Sequence, residues 1–212
     1  PGGKPLKSLF NEKPKQDDLA QLWQDVQERP LLYAGIAAFL VACLLAGFLY
    51  RANSVSKRAE LLTAYAQALD KEGPAERLAA LEPLSQAAAK NNDEIVYVTG
   101  ETAYRAGEYD KAKVAFERMR GDFTESPYVP EAVEGLGNIA ENAKDYDNAL
   151  ALYTEVKDKW SASFAARRQP MNIAKMEERR GRLKEAVVAY REQMQVFPGS
   201  TLAAEASAAL TR

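Results

Sequence analysis

Three stretches of this chain decide its fold: GEYDKAKVAF at 107–116, KDYDNALALY at 144–153 and GRLKEAVVAY at 181–190. Each contains a turn, an apolar residue, an alanine and, four positions after that alanine, an aromatic ring. Each begins 37 residues after the one before it. Residues four apart share one face of an α-helix, so these stretches predict three equivalent helices. A fixed period of this size is typical of repeat architectures.

A small residue precedes each of these stretches, again with a spacing of 37, at Gly100, Gly137 and Ala174. It predicts a first helix in each unit, packed closely on the second. We place the three repeats at 93–126, 130–163 and 167–200. Ser200 is a good N-cap, so we expect a last helix at Thr201–Leu210 that covers the apolar face of the third repeat.

The composition favours an all-α protein without catalytic chemistry. Helix-forming residues dominate, and the formal net charge is −2. The chain has no histidine and one cysteine, Cys43, so the commonest general base and any thiolate metal cluster are missing. No glycine-rich phosphate loop and no basic stripe occurs in the sequence. We therefore expect no enzymatic activity, cofactor, metal, nucleic acid or small-molecule substrate, and protein partners instead.

Residues 30–50 predict one transmembrane helix. Leu31–Tyr50 reads LLYAGIAAFLVACLLAGFLY, twenty residues without a charge, which matches the roughly 30 Å of a bilayer core. Leu40–Cys43 resembles a lipoprotein processing box, but apolar sequence continues beyond it, so we expect an uncleaved anchor. The basic residues on the two sides are too evenly balanced to decide the orientation.

Small residues repeat every four positions in this span, which predicts a face on which another membrane helix could pack closely. This alanine face consists of Ala34, Ala38, Ala42 and Ala46. Alanine is also common in membrane helices for no specific reason, and both interpretations stay open.

The segment before the span divides into a flexible tail at 1–15 and an amphipathic helix at 16–29. One side of that helix is apolar, and it is formed by Leu19, Leu22, Trp23 and Val26. This side could lie at the membrane interface or dock on a partner. Because Pro1 is not an initiator methionine, we expect further residues to precede it.

Residues 51–92 predict a linker helix and a degenerate first repeat. Ser54–Asp70 and Ala75–Ala89 form the expected helix pair. Ala75 and Ala79 lie 37 residues before Ala112 and Phe116, but no aromatic residue occupies the second position. The remaining residues, 93–212, hold the three repeats and the capping helix.

The alanine, aromatic and glycine positions of the three units resemble the tetratricopeptide repeat (TPR) family. This resemblance implies an α-solenoid in which Tyr109, Phe116, Tyr146, Tyr153 and Tyr190 are packing residues. It also implies a ligand groove formed by the first helix of each repeat. We call the matching residues the groove residues: Glu94, Tyr97, Glu101, Tyr104, Glu131, Glu134, Asn138, Glu141, Arg168, Met171, Lys175 and Glu178.

Family members that bind a C-terminal carboxylate use Lys, Arg and Asn at these positions, whereas the first two repeats here offer mainly Glu. The resemblance therefore implies a basic or amphipathic polypeptide as the ligand. The alternative is an acidic face exposed only to solvent.

The order of segments is similar to that of YfgM-type inner-membrane proteins, which have a short cytoplasmic tail, one span and a periplasmic repeat domain. The repeats also resemble those of BamD and the Tol–Pal coordinator proteins. These resemblances imply a scaffold in the bacterial envelope, in an assembly or chaperone role near the Sec translocon, with the repeats in the periplasm. The second hypothesis is an accessory subunit of a large inner-membrane complex, held by its span and N-terminal segment.

Overall fold

The computed structural model describes residues 23–89 and 92–211. Within these ranges the chain is helical and contains no β-strand, as the composition predicts. The chain divides into two compact units, with the boundary between Glu60 and Leu61. The predicted tail at 1–15, the first part of the amphipathic segment, and its residues Leu19 and Leu22 lie outside the described residues.

Residues 23–28 are helical, and helix α1 follows at Pro30–Leu69. Pro30 is the first residue of α1, a position where its missing N–H is not needed. The apolar residues of the span are exposed, with 89% of Leu31 and 70% of Phe48 accessible. This helix is long and apolar enough to cross a membrane.

The helix expected at Ser54–Asp70 is present, but it is continuous with the span, because α1 runs without a break to Leu69. Residues 51–69, RANSVSKRAELLTAYAQAL, contain neither Gly nor Pro and are rich in helix formers. Nothing in them ends a helix that has already formed. Gly73 and Pro74 follow, and Pro74 begins the next helix.

The second unit contains helices α2 to α9, each packed against the next along the chain. Their bounds are α2 Pro74–Ala87, α3 Asp93–Arg105, α4 Tyr109–Asp122, α5 Val129–Asn142, α6 Tyr146–Lys159, α7 Gln169–Arg179, α8 Leu183–Val196 and α9 Thr201–Ala209, with a 3-10 turn at Ala166–Arg168 before α7. The last helix starts as predicted, with the Ser200 hydroxyl accepting from the Ala203 amide at 3.1 Å.

In three helix pairs the first helix ends in the same way, at the predicted spacing of 37 residues. The amides of Glu108, Asp145 and Arg182 each donate to the carbonyl five residues earlier, at 2.9, 2.9 and 2.8 Å. The residue before each of them has positive φ: Gly107 at 80°, Lys144 at 63° and Gly181 at 74°. This is the left-handed end of a helix that glycine favours and that lysine adopts at a cost.

Aromatic rings fill the space between helices, as predicted for three of the five packing residues. Phe116, Tyr153 and Tyr190 are at most 4% exposed. Tyr146 is half-buried. Tyr109 is 41% exposed because it begins α4, and its ring lies 5.4 Å from the Tyr104 ring between centroids.

Glycine residues leave space for the rings of Phe116 and Tyr153. A Cβ added at Gly100 or Gly135 would lie 2.6 or 2.5 Å from an atom of the Phe116 ring, so α3 and α5 both approach this ring through glycine. A Cβ at Gly137 would lie 2.4 Å from Tyr153 in the same way.

The core is formed by two hydrophobic clusters, a large one from α2 to α7 and a small one around Met171, Tyr190 and Ala206.

Candidate functional site

The groove residues of α3 lie one to two turns apart on that helix. Glu94 is exposed and accepts a hydrogen bond from the Tyr65 hydroxyl at 3.2 Å. Tyr97 is half-buried. Glu101 is partly exposed and forms an ion pair with Arg105 at 3.5 Å. The Tyr104 hydroxyl accepts from the Asn142 amide at 2.8 Å. Helix α3 therefore offers two carboxylates and two phenols at the surface of the second unit.

The groove residues of α5 are more strongly involved in internal contacts. Glu134 is 8% exposed. The Tyr153 hydroxyl lies 2.8 Å from Asn138 Oδ1 and 3.1 Å from Glu141 Oε2, so both side chains help to hold that buried ring. Glu131 is half-buried, and its Oε2 is buried without a hydrogen-bond partner among the described residues.

The groove residues in and just before α7 are the least available to a ligand. Arg168 lies in the 3-10 turn before the helix. Met171 is 1% exposed and packs in the small hydrophobic cluster, so its side chain is not available to a ligand. Lys175 pairs with Glu205 at 3.1 Å. Glu178 is exposed. Hence both cations of this row have carboxylate partners within the chain.

Arg168 connects the groove residues near α7 with those of α5. Its Nε donates to Glu134 Oε1 at 3.1 Å, and its Nη2 contacts Glu134 Oε2. The hydrogen bond to Glu134 is the main cause of the raised pKa of Arg168. Asn172 also faces Glu134, at 3.4 Å, and the guanidinium lies 5.1 Å from the centre of the Phe164 ring. This bidentate pair removes one negative charge from the predicted acidic face.

An aromatic pair stands beside the remaining carboxylates. The rings of Tyr97 and Tyr128 are stacked, with centroids 5.0 Å apart and planes at 13°. Burial raises the pKa of Tyr97, and the charges of Glu101 and Glu131 raise it further. Both tyrosines therefore stay protonated at neutral pH and present hydroxyl donors.

A cavity of about 300 Å³ opens next to this pair. It is lined by residues of α1, α2 and α3: Leu69, Pro74, Arg77, Tyr97, Val98, Glu101, Thr102 and Arg105. The Arg77 side chain is already bound to the Lys71 carbonyl, at 2.7 Å. The cavity thus adjoins Tyr97 and Glu101 and provides an apolar wall for an inserted side chain.

The sequence did not single out several side chains at this surface: Tyr65, Tyr128, Asn142, Phe164 and Asn172. Tyr128 precedes α5 in a connecting segment, and Tyr65 belongs to α1, so neither occupies a repeat position that the pattern could mark. Their only signal in sequence is a large aromatic residue near a helix end. Within residues 23–89 and 92–211 no cluster of three or more potential metal ligands occurs.

Glu131 is the carboxylate with the least favourable surroundings. Its Oε2 is buried and accepts no hydrogen bond from the described residues. Removal from water is the main cause of its raised pKa. A backbone hydrogen bond and the charge of Arg168 oppose this change, and the charge of Glu134 adds to it. A buried acceptor without a donor costs about 1–3 kcal/mol. Glu131 therefore destabilises the unliganded surface when it is ionised.

Glu131→Gln is expected to raise the free energy of unfolding by on the order of 1 kcal/mol at pH 7. The folded-state pKa lies above the ordinary 4.5 that applies to the unfolded chain. The wild-type protein therefore loses stability as pH rises from 4.5 through the raised value. Below 4.5 the two proteins should agree.

Urea unfolding of the full chain in detergent at both pH values measures this difference. Glu125→Gln, at an exposed position, is the matched control and should change little at either pH. An equal gain at both pH values would show that ionisation of Glu131 is not the cause.

All but one of the described residues of the two membrane-related faces are exposed. Ala34, Ala38, Ala42 and Ala46 are all exposed, and so is 66% of Trp23. Val26 is half-buried. The alanine face therefore has no covering helix within the described part of the chain.

Comparisons with known proteins add no identification. No protein-family model matches this chain, and a search of curated proteins finds no similar sequence. The functional assignment therefore depends on the geometry described above.

Proposed function

We propose that this chain is a membrane-anchored scaffold of the tetratricopeptide type, which binds polypeptide partners in the bacterial envelope. The observation that carries the proposal is the stacked pair Tyr97–Tyr128 beside Glu101, Glu131 and a 300 Å³ cavity. Aromatic rings with adjacent carboxylates suit basic side chains and amphipathic helices of a partner polypeptide.

The repeat architecture is supported by helix bounds and contacts that recur every 37 residues. Helices α4, α6 and α8 begin at Tyr109, Tyr146 and Leu183. The rings of Phe116 and Tyr153 each lie against a glycine of the preceding helix. A solenoid of such pairs presents its first helices side by side, which favours a continuous surface along α3, α5 and α7.

The charges favour a basic ligand over an acidic one. Arg168 and Lys175 are the two cations among the groove residues, and both have carboxylate partners, Glu134 and Glu205. A ligand carboxylate would have to displace one of these pairs. Glu94, Glu101 and Glu131 have no Lys or Arg of another helix bonded to them among the contacts described here, so they favour a cationic partner.

We place the anchor in the inner membrane and the repeats in the periplasm, in an assembly or chaperone role near the Sec translocon. The length of α1 and the exposure of its apolar residues support the anchor. The side rests on the resemblance to YfgM-type proteins. Proteolysis of intact spheroplasts tests it, because only periplasmic segments are cut there; protection of residues 61–212 would reverse the orientation.

Tyr97→Ala/Glu101→Lys is expected to lower recovery of protein partners at least tenfold when the tagged full chain is isolated from membranes. The double change removes the aromatic wall and reverses one charge. The matched control is Val114→Ala/Glu117→Lys on the exposed side of α4, which should keep the partners. Glu101→Lys alone, compared by thermal melting, separates loss of binding from loss of folding.

Two outcomes would contradict the binding proposal. Equal recovery with the groove variant and its control would mean that this surface binds nothing. If partners persist with the groove variant but disappear when residues 31–50 are exchanged for an unrelated span, the accessory-subunit hypothesis is preferred.

A further inference from the structure

Helix α1 has two apolar faces beyond the span. One consists of Leu61, Tyr65 and Ala68: Ala68 is buried, and Leu61 and Tyr65 pack against the large hydrophobic cluster. These residues follow the i, i+4, i+7 spacing of an ordinary amphipathic helix that covers a core. They account for the packing of this helix on its own domain, and they leave the second face unexplained.

The second face is a regular series with alternating spacings of three and four. We call it the heptad stripe: Ala52, Val55, Ala59, Leu62, Ala66 and Leu69. Its large residues are exposed, Val55 by 62%, Leu62 by 45% and Leu69 by 38%. On a helix with about 100° per residue, the centre of the stripe lies about 120° from the centre of the Leu61–Ala68 face, and Leu69 is the stripe residue nearest to that face. A 3-4 spacing held over eighteen residues is the pattern of a coiled-coil seam.

The same series continues backwards into the span as Val41, Leu45 and Phe48, which are 54%, 57% and 70% exposed. In the span every position is apolar, so these residues alone would carry no information. Outside it, the neighbours of the stripe are polar, as in Asn53, Ser54, Ser56, Lys57 and Arg58. The seam therefore stands out where water surrounds the helix and extends without a change of register into the bilayer.

The membrane determines which way two such helices can pair. Copies of one chain inserted with the same topology are parallel, with Ala52, Ala59 and Ala66 at a positions and the larger residues at d. In a parallel pair, Arg51 and Arg58 at g positions face Ser56 and Thr63 at e positions of the other copy. No like charges oppose each other. An antiparallel pair would bring the arginine positions against one another.

We propose that two copies of this chain pair in parallel along the heptad stripe, which makes the scaffold a dimer with two repeat domains. The alanines let the helices approach closely but contribute little buried area, so the seam is weak on its own. Confinement of both spans to one membrane raises the effective concentration and makes such a seam sufficient. Dimerisation goes beyond the proposed polypeptide binding and does not depend on it.

Cysteine cross-linking of the full chain tests the seam directly. In a Cys43→Ser background, Val55→Cys and Leu62→Cys place a thiol at d positions, whereas Lys57→Cys places one at an f position only two residues from Val55. The proteins are reconstituted separately into phosphatidylcholine vesicles at high lipid excess and oxidised with copper phenanthroline. We expect disulfide-linked dimers from both d-position variants at five or more times the yield of Lys57→Cys.

Equal yields from Val55→Cys and Lys57→Cys would reveal random collision, and no dimer from either d-position variant would mean that the stripe does not pair with itself. Both results overturn the proposal. Val55→Glu/Leu62→Glu provides a second readout: energy transfer between two labelled populations in the same vesicles should fall to the level of unrelated spans. Its helicity by circular dichroism should stay unchanged, since both positions are exposed.

Discussion

Phe116→Ala is expected to lower the free energy of unfolding of the second unit by about 3–5 kcal/mol, the usual cost of removing a fully buried aromatic ring. Phe116 has no accessible surface, and its ring lies between Gly100 of α3 and Gly135 of α5. Neither glycine has a side chain that could move into the space, so the cavity would stay open. The ring thus contributes to two helix interfaces at once.

Denaturant unfolding of the full chain in detergent, followed by circular dichroism, measures this effect. Val114→Ala lies on the same helix, and Val114 is 67% exposed, so that change should stay within about 0.5 kcal/mol. A loss below 1 kcal/mol for Phe116→Ala would mean that α3 and α5 are not held together by this ring.

Gly137→Ala is expected to lower the free energy of unfolding by about 1–3 kcal/mol, since overpacking a fixed neighbour has this cost. The new Cβ would lie 2.4 Å from Cε1 and 2.8 Å from Cδ1 of Tyr153. This ring cannot move away easily, because it is fully buried and its hydroxyl is held at Asn138 and Glu141.

Gly121→Ala is the control, for which we expect no loss in the free energy of unfolding. Gly121 lies in α4 with no atom within 4 Å of the added carbon. Alanine has the better helix propensity, so stability should be unchanged or rise by up to about 1 kcal/mol. The same thermal or denaturant unfolding compares both variants with the wild type. A stabilising Gly137→Ala would rule out the close helix approach at that glycine.

The recurring helix ends of this fold can be predicted because one spacing carries three kinds of information. The 37-residue period marks the turns, the small residues and the rings together, and the positive φ values at Gly107, Lys144 and Gly181 follow it. Lys144 shows that the turn conformation persists where glycine is absent. The apolar helix is equally clear, because twenty uncharged residues need no tertiary information.

Features that depend on contacts between distant residues could not be predicted from the sequence. At the candidate site, the pairing of Glu134 with Arg168 joins residues 34 apart. The sequence pattern alone cannot distinguish a carboxylate without an ion-pair partner from one that pairs with a residue 34 positions later, nor an exposed Met171 from a buried one.

The division of the core into two clusters also determines where the domain opens first. The large cluster joins α2 to α7, so we expect the amide hydrogens of these helices to exchange mainly in a common opening. The small cluster holds α8 and α9 mainly through alanines and Tyr190, with fewer large side chains. We therefore expect local unfolding to start at the C-terminal end, while the Tyr97–Tyr128 surface stays ordered.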